Sequence, residues 1–261
     1  LKEETTYCSI LPTATPYARN AFFSGLLPSQ IKKTHPQWWK DDTDEGGKNL
    51  FEDKLIQAQL DKMGLDWKHS YHKINKPEQG IKLAEQLNNE LHNRLTVVVY
   101  NFVDMISHAK TEMDVIKELA ATDKAYRSLT ASWFENSPLL EIVKKAQSLG
   151  FKLLITTDHG TINVKNPVEV LGDRDTSTNI RYKTGKRVSI KDKNVITFDQ
   201  PESIGLPTIN LTSSFVFATE DRYLIYPTRY HHFVNYYKDT YQHGGVSLEE
   251  MLIPFAVLSP K

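Results

Sequence analysis

The chain has 261 residues, of which 32 are basic and 32 acidic, so the formal net charge is zero. This balance excludes a surface that is basic throughout, as expected for a protein that binds duplex nucleic acid over a wide area. The single cysteine, Cys8, excludes an internal disulfide framework and predicts a cytoplasmic location. No apolar run approaches the roughly 20 residues that span a bilayer, and the first residues lack the pattern of a signal segment, so we expect no membrane partner.

A hydroxyl residue at a predicted helix start is the first candidate for chemistry. A strand is predicted from Thr6 to Leu11, and a helix from Pro16 to about Phe23 with Thr15 as its N-cap. Backbone amides and the helix dipole favour an anion at such an N-terminus, which suits a nucleophile that attacks a phosphate. The alternative is an ordinary threonine cap. Arg19, one turn later on the same face, could hold a phosphate oxygen or be a surface arginine.

The middle of the chain alternates between strands and helices. A turn-rich stretch near 25–48 is interpreted as a surface excursion, which could be a lid, an interface or a solvated loop. The predicted elements after it are a packing helix (Leu50 to Met63), a short strand (Ser70 to Ile74), a helix (Ile81 to His92), a strong β segment (Leu95 to Val103) and helices over Met113 to Leu119, Ala121 to Ser132 and Ser137 to Gly150. This order predicts an α/β fold with a mostly parallel sheet and helices on both faces.

The strong β segment runs into a carboxylate, Asp104, and an imidazole, His108, follows one helical turn later. If a helix or a tight turn begins at Asp104, both side chains lie on one face, because residues four apart are neighbours there. This spacing is typical of a pair of metal ligands.

A second apolar run, Phe151 to Gly160, also ends in a carboxylate and an imidazole, Asp158 and His159. Its centre suits a buried parallel strand, and ligands of open α/β sheets cluster beyond the carboxyl ends of such strands. Adjacent strand residues point to opposite faces, so both side chains reach one metal only if the backbone bends, as Gly160 allows. The alternative is a turn aspartate beside a solvated histidine.

The polar stretch 161–199 carries a run of basic residues, which either forms a solvated face or steers an anionic substrate. The residues of this run are Arg174, Arg181, Lys183, Lys186 and Arg187.

The last part of the chain adds a third imidazole. Phe215 to Ala218 and Tyr223 to Tyr226 predict a hairpin, and the aromatic-rich stretch from Tyr230 to Tyr241 suits a core, an interface or a base-stacking surface. His243 follows on a glycine-rich loop, before a capping box from Ser247 to Glu250 that opens a short helix. A last strand is predicted from Pro254 to Leu258. Together with the two earlier carboxylate–imidazole pairs, His243 predicts a zinc-type metal cluster, although manganese accepts the same oxygen and nitrogen ligands.

These motifs, in this order, resemble the alkaline phosphatase superfamily. The segments Leu11-Pro-Thr-Ala-Thr15 with Gly25, and His243-Gly-Gly-Val-Ser-Leu-Glu-Glu-Met-Leu-Ile-Pro254, look like its PglZ branch, and the overlap extends from Tyr7 to Val257. Within that branch the sequence resembles PorX-type response regulators, in which a PglZ effector follows a receiver module. The resemblance implies a single alkaline-phosphatase-like domain over residues 1–261, with the excursion near 25–48 and a polar insertion near 161–199.

The resemblance also implies two zinc ions and a function. One zinc would be bound by Asp104, His108 and His243, and the other by Asp158, His159 and the Thr15 oxygen. A metal-activated Thr15 alkoxide would then attack phosphorus and form a phosphothreonine. The implied activity is that of a phosphodiesterase or phosphatase acting on nucleotides or on cyclic or linear oligonucleotides, with Arg19, Arg181 and Lys183 as candidate substrate contacts. The implied setting is a two-component system linked to type IX secretion, with a receiver module upstream and a homodimeric assembly.

One departure from the superfamily pattern concerns the second zinc. Members carry a further aspartate at the end of the first strand, whereas Glu3 and Glu4 are the only carboxylates upstream of Thr15. Either the strand with this aspartate lies outside the sequence, or the second zinc site is incomplete. We expect the first of these, with weak activity of this fragment.

Two further functions are compatible with the same motifs. A non-catalytic module, stabilised by zinc for partner binding or dimerisation, shares the metal ligands but does not need the Thr15 hydroxyl. A sulfatase-like enzyme is disfavoured, since neither cysteine nor serine occupies position 15.

Overall fold

The structure is a computed structural model. It describes residues 2–172, 177–186, 188–190, 192–209 and 212–260, without the side chains of Val103, Asp104 and His108. The chain divides into two compact units, one formed by Leu1–Thr6, Leu60–Thr156 and Pro254–Lys261, the other by Tyr7–Gln59 and Thr157–Ile253. Across the described residues, no helix combines the length and the apolar composition that crossing a membrane requires.

The elements are numbered in chain order. The helices are α1 (Thr15–Ser24), α2 (Pro28–Thr34), α3 (Glu52–Lys62), α4 (Pro77–Gln86), α5 (Phe102–Glu112), α6 (Asp114–Leu119), α7 (Asp123–Glu135), α8 (Pro138–Ser148), α9 (Tyr230–Tyr237) and α10 (Leu248–Met251), with 3₁₀ turns at Pro36–Trp38, Leu87–His92 and Pro201–Ile204. The strands are β1 (Glu3–Cys8), β2 (His69–Ile74), β3 (Leu95–Tyr100), β4 (Leu153–Ile155), β5 (Ile162–Asn163), β6 (Asn166–Leu171), β7 (Tyr182–Lys186), β8 (Ser189–Ile190), β9 (Val195–Phe198), β10 (Ser213–Ala218), β11 (Arg222–Ile225), β12 (Tyr241–Gln242) and β13 (Leu252–Leu258).

The first unit contains most of the predicted strand–helix alternation. Strands β2 and β3 pair in parallel, with His69 opposite Leu95 and Ile74 opposite Tyr100. Helices α4 and α8 cover this pair with a core that includes Ile74, Leu83, Leu87, Ile142 and Ala146. Helix α8 begins where Ser137-Pro138 predicts, since the Ser137 hydroxyl accepts a hydrogen bond from the Leu140 amide at 3.4 Å. The predictions for these helices and strands are confirmed within a few residues.

The prediction of a buried parallel strand before Asp158 is wrong. Strand β4 has only three residues, pairs antiparallel with β13, and exposes 58 % of Leu154 and 44 % of Ile155. An apolar run indicates a strand but does not determine its neighbour, and here the neighbour is the last strand of the chain.

The second unit is built on two three-stranded sheets, ordered β7-β10-β9 and β11-β6-β8. Every residue of β10 is buried, and β10 pairs antiparallel with both of its neighbours. Strand β11 pairs in parallel with β6, so the predicted hairpin of β10 with β11 is wrong. The α/β class is confirmed, with helices around mixed rather than mostly parallel sheets.

Two stretches interpreted as polar and exposed contribute to the interior. The excursion near 25–48 contains α2, whose Ile31 is fully buried, and Trp39, which is 7 % exposed. In its acidic run, Asp42 accepts hydrogen bonds from the buried hydroxyls of Tyr17 and Tyr182, although burial still raises the pKa of the Asp42 carboxyl. The stretch 161–199 forms β5 to β9. Some of the charged residues in these two stretches therefore lie inside the fold rather than on its surface.

Candidate active site

Thr15 is the first residue of α1 rather than its N-cap. Ala14 occupies the cap position with an extended backbone, Pro16 lies in the first turn, and the left-handed Gly25 ends the helix at a φ of 61°. The predicted threonine cap is therefore wrong by one residue, and no side chain caps the helix. The Asn49 amide holds this start by donating to the Thr15 carbonyl oxygen at 3.1 Å. Because the Thr15 hydroxyl makes no capping bond, it can interact with groups outside the helix.

The partner of that hydroxyl is His159. The distance from Thr15 Oγ1 to His159 Nε2 is 3.0 Å, and His159 Nδ1 lies 3.0 Å from the Gly160 carbonyl oxygen. A carbonyl can only accept, so a neutral His159 carries its proton on Nδ1. Its Nε2 lone pair is then directed at Thr15, and the Thr15 hydroxyl donates to it.

His243 repeats this arrangement beside His159. Its Nδ1 lies 3.1 Å from the Thr13 carbonyl oxygen, which places the lone pair of the neutral ring on Nε2. The two imidazole rings stack with centroids 4.1 Å apart and an angle of 19° between their planes. A backbone carbonyl that fixes Nδ1–H while Nε2 keeps the lone pair is the usual second-shell arrangement of metal-binding histidines.

Thr13 ties the His243 loop to the segment before α1, a role that the sequence analysis did not assign. The fully buried Thr13 hydroxyl accepts from the Gly244 amide at 3.0 Å and donates to the Gly245 carbonyl oxygen at 2.8 Å. Gly244 has a φ of 120°, which favours glycine, and a side chain at Gly245 would lie 2.5 Å from the Ala218 carbonyl oxygen. The Thr-Ala-Thr and Gly-Gly segments are thus structurally coupled, which accounts for these residue types.

Asp158 brings a carboxylate to the same place. Ser9 donates to its backbone carbonyl at 2.6 Å, and the Thr157 hydroxyl lies 3.3 Å from Asp158 Oδ1. The other carboxylate oxygen, Oδ2, is buried, has no hydrogen-bond partner among the described residues and lies 3.9 Å from His159 Nε2. A buried carboxylate oxygen without a donor is costly unless a cation binds it.

Gly160 is required by a close approach rather than by an unusual backbone angle. A Cβ at this position would lie 2.0 Å from the Glu249 carbonyl oxygen, and the Gly160 amide donates to the Glu250 carbonyl oxygen at 2.9 Å. The bend after Asp158-His159 is thus packed against α10.

A buried ion pair holds the glycine loop that follows His243. Arg181 and Glu250 have fully buried side chains, with Arg181 Nη2 2.6 Å from Glu250 Oε2 and Nε 3.0 Å from Oε1. The carboxylate also accepts from the Gly245 amide at 2.9 Å and from the Ser247 hydroxyl at 2.7 Å. The predicted capping box is half confirmed: Ser247 accepts from the Glu250 amide at 3.2 Å, whereas the Glu250 carboxylate holds the glycine loop.

The three candidate substrate contacts are engaged inside the protein. Arg19 forms an ion pair with the buried Glu52, and Arg181 forms the pair with Glu250. Lys183 is 1 % exposed, donates to the Ser177 carbonyl oxygen at 3.1 Å, and lies over the Tyr226 ring. Burial lowers the pKa of Lys183 to about 7. The interpretation of a solvated basic face is wrong for positions 181 and 183, and we do not assign these residues to substrate binding.

Asp104 and His108, the remaining predicted ligands, belong to α5 in the first unit. The helix expected at that point is confirmed, but both side chains lie outside the described part of the structure. Arg174 and Arg187 of the predicted basic run also lie outside it.

The donors around His159 fit a zinc ion. Ligands about 2.0–2.1 Å from a tetrahedral zinc are roughly 3.3 Å from one another. The observed separations of His159 Nε2 from Thr15 Oγ1 and from Asp158 Oδ2, 3.0 and 3.9 Å, lie on either side of that value. Among the side chains that are described, no group of three or more His, Cys, Asp or Glu residues is arranged to hold a metal. The His159 corner thus supplies one imidazole, one carboxylate and a hydroxyl.

Comparison with known structures identifies the fold. One similar structure is that of phosphonoacetate hydrolase from Sinorhizobium meliloti 1021 in complex with phosphonoformate. The similarity covers 97 % of this chain and 81 % of the hydrolase chain, with 11 % sequence identity and a TM-score of 0.58. A second structure of that enzyme, with phosphonoacetate, covers the same shares of both chains with 10 % identity and a TM-score of 0.52. At such identities the likeness establishes the fold alone.

The sequence identifies both the class and the family. Residues 1–258 match the profile described as the BREX system PglZ alkaline phosphatase-like domain. The chain therefore belongs to the PglZ family, as the motifs around Thr15 and His243 predict. The sequence matches none of the curated proteins with which it was compared.

Proposed function

We propose that the protein is a zinc-dependent phosphoester hydrolase in which Thr15 is the nucleophile. The observation that carries the proposal is the 3.0 Å contact of the Thr15 hydroxyl with His159 Nε2, whose lone pair is fixed by the Nδ1 contact with the Gly160 carbonyl. The Thr15 hydroxyl makes no capping bond to its own helix, and its partner is a side chain 144 residues away. The alkaline-phosphatase-like family provides independent support.

The proposed ligands follow the two histidines. Asp158 and His159, with the Thr15 oxygen, would hold one zinc, and Asp104, His108 and His243 would hold a second. The unpartnered Oδ2 of Asp158 supports the first assignment, and the carbonyl-fixed Nδ1 of His243 supports its place in the second. A bound zinc supplies positive charge that lowers the pKa of a coordinated hydroxyl and stabilises charge on phosphoryl oxygens.

The remaining steps belong to residues of the chain. The positive end of the α1 dipole favours a phosphoryl group beside Thr15. The Thr15 hydroxyl loses its proton to water, Oγ1 forms a bond to phosphorus, and the bond to the leaving oxygen breaks with its electron pair, so that the leaving group departs as an alcohol once it takes up a proton. Water then attacks the phosphothreonine, which releases phosphate or a phosphomonoester and returns a proton to the Thr15 oxygen. The hydrogen bond from Asn49 holds Thr15 in position beside His159, and the contact with the Thr13 carbonyl holds His243 there.

We propose further that the substrates are nucleotide or oligonucleotide phosphodiesters, cyclic or linear. We also propose that the chain acts in the cytoplasm as a homodimeric effector domain of a two-component response regulator, downstream of a receiver module, in type IX secretion. The support is the resemblance of the Leu11–Thr15 and His243–Pro254 segments to PorX-type regulators.

The test is Thr15→Val, which removes the hydroxyl and keeps the shape of the side chain. We expect turnover of bis(4-nitrophenyl) phosphate to fall by about 10³-fold, while zinc content by elemental analysis falls far less. Thr43→Val, at an exposed position, should leave both unchanged. Unchanged turnover in Thr15→Val would rule out the nucleophile. If neither the parent nor the variant turns over any phosphoester but both bind zinc, the non-catalytic module is favoured.

A further inference from the structure

An apolar cavity opens beside the candidate active site, within the second unit. Its volume is about 270 Å³, and Asp158 forms part of its lining. The apolar lining comes mainly from one face of α1 and from the residues around it, including Tyr7, Ala18, Ala21, Phe22 and Leu27. The small side chains of Ala18 and Ala21 leave space on that helix face. Phe22 and Leu27 remain 45 % and 42 % exposed, which is unusual for large apolar side chains that line a concave surface.

Hydrogen bonds fix this cavity to the segment that carries Asp158. The Tyr7 hydroxyl donates to the Thr157 carbonyl oxygen at 2.6 Å, and the Ser9 hydroxyl donates to the Asp158 carbonyl oxygen at 2.6 Å. The Tyr7 ring lies nearly parallel to the Phe22 ring, with centroids 6.4 Å apart and an interplanar angle of 28°. One wall of the cavity therefore consists of aromatic rings held against the same backbone that positions the carboxylate.

The size of the cavity limits what it can hold. A dry cavity of about 150 Å³ accepts benzene. At about 270 Å³, this one accepts a single aromatic ring system with a substituent, but not a whole nucleotide or a peptide. Pockets that enclose a complete small ligand start at about 300 Å³. The occupant is thus one part of a larger molecule, and Asp158 lies on the side where the rest of that molecule would be.

We propose that this cavity is a specificity subsite that binds a flat, apolar ester group of the substrate while its phosphoryl group is held at Thr15. The inference rests on the proposed phosphoester hydrolase function and adds the chemical class of the organic group. Tyr7 and Phe22 contact that group, and Ala21 sets the depth of the subsite. Esters with a planar aromatic group are therefore preferred over those with a small alkyl group.

Equilibrium binding to the Thr15→Val protein, with zinc present, tests the proposal without turnover. Calorimetry compares phenyl phosphate with methyl phosphate, which share the phosphoryl group. Burial of roughly 60 Å² of ring surface favours phenyl phosphate by about tenfold. Ala21→Leu fills the cavity and should bring this preference close to one. Phe22→Ala removes one contact and should reduce the preference by a few-fold without adding bulk.

The control is Leu50→Ala, which shortens an exposed apolar side chain outside the cavity and should keep the full preference. Circular dichroism spectra that match the parent show that each variant is folded. An undiminished phenyl preference in both Ala21→Leu and Phe22→Ala would overturn the subsite. If neither phosphate binds to the Thr15→Val protein, the proposed function itself fails, and the subsite with it.

Discussion

Two polar clusters lie close together in the second unit, and their carboxylates are in opposite situations. Glu250 is fully buried, and its two oxygens receive hydrogen bonds from Arg181, from the Gly245 amide and from Ser247. Asp158 has a partly exposed side chain, yet its buried Oδ2 receives no hydrogen bond from the part of the chain that the structure describes. The Glu250 carboxylate is neutralised by Arg181, whereas no described lysine or arginine forms an ion pair with the Asp158 carboxylate.

This difference separates a structural role from a role in ligand binding. A buried carboxylate with all its donors contributes to the fold, and removal of its partner leaves a charge without compensation. A buried carboxylate oxygen that accepts no hydrogen bond raises the free energy of the folded protein. Binding of a cation to that oxygen removes this cost. Substitutions at the two positions should therefore have opposite consequences for stability and for metal binding.

The largest expected effect on stability is that of Glu250→Gln. It leaves the Arg181 guanidinium buried without an opposite charge, so we expect the free energy of unfolding to fall by about 3–5 kcal/mol, measured by urea denaturation. Glu249→Gln, on the exposed side of the same helix, should change it by less than about 0.5 kcal/mol. Equal effects of the two substitutions would show that the ion pair does not hold the His243 loop.

The next effect is a dependence on pH that arises from Lys183, which is buried two residues after Arg181. The pKa of Lys183 is lowered from 10.5 to about 7 by burial, so the unfolded chain binds more protons than the folded one between these values. The stability of the parent should therefore rise with pH, by about 2–3 kcal/mol between about pH 7 and pH 9. Lys183→Met should remove this rise, whereas Lys186→Met, at an exposed position of the same strand, should retain it. If the stability of the parent and of Lys183→Met depended on pH in the same way, the pH dependence would not arise from Lys183.

Gly160→Ala should have a smaller effect on stability. Gly160 lies where the Asp158 segment packs against the helix that carries Glu250. The new methyl group would meet the Glu249 carbonyl oxygen, so the backbone must shift, at a cost of about 1–3 kcal/mol, and turnover should fall as His159 moves. Gly64→Ala provides the comparison, because Gly64 has a φ of 67° but open space around it. It should cost about 1 kcal/mol from backbone strain and leave turnover intact. Full activity in Gly160→Ala would remove the requirement for close packing at this bend.

The smallest effect on stability is expected for Asp158→Asn. It removes a charge that the protein does not neutralise, so the free energy of unfolding without metal should change by less than about 1 kcal/mol. Zinc affinity, measured by competition with a chelator, should nevertheless fall by about 10-fold or more. A loss of several kcal/mol with unchanged zinc affinity would place Asp158 in the same structural class as Glu250.

Local signals in the sequence predicted much of this fold. Pro16, the Ser137-Pro138 pair and Gly150 mark helix ends through backbone geometry that depends only on neighbouring residues. Strand partners depend on distant residues, and for that reason the hairpin of β10 with β11 and the parallel β4 were wrong. Sequence neighbours determine that a segment is extended, but not which segment pairs with it.

The site divides along the same line. Sequence alone predicted Thr15, Asp158, His159 and His243, and the structure brings Thr15 and both histidines together. The sequence did not indicate that Arg181 is buried, because the carboxylate that neutralises Arg181 lies 69 residues further along the chain. The carbonyl that fixes the tautomer of His243 belongs to Thr13, 230 residues away in the chain. Such second-shell partners have no local signature, since any residue supplies a carbonyl.

The most direct test of the central claim is to trap the covalent intermediate. The zinc-loaded protein is mixed with a phosphoester substrate, quenched in acid within the first turnovers, digested and examined by mass spectrometry. We predict a peptide in which Thr15 carries the phosphoryl group of the substrate, with its second ester group still attached when the substrate is a diester, and no such adduct in Thr15→Val. Continued turnover with no phosphoryl group on Thr15, or with the group on another residue, would contradict the account.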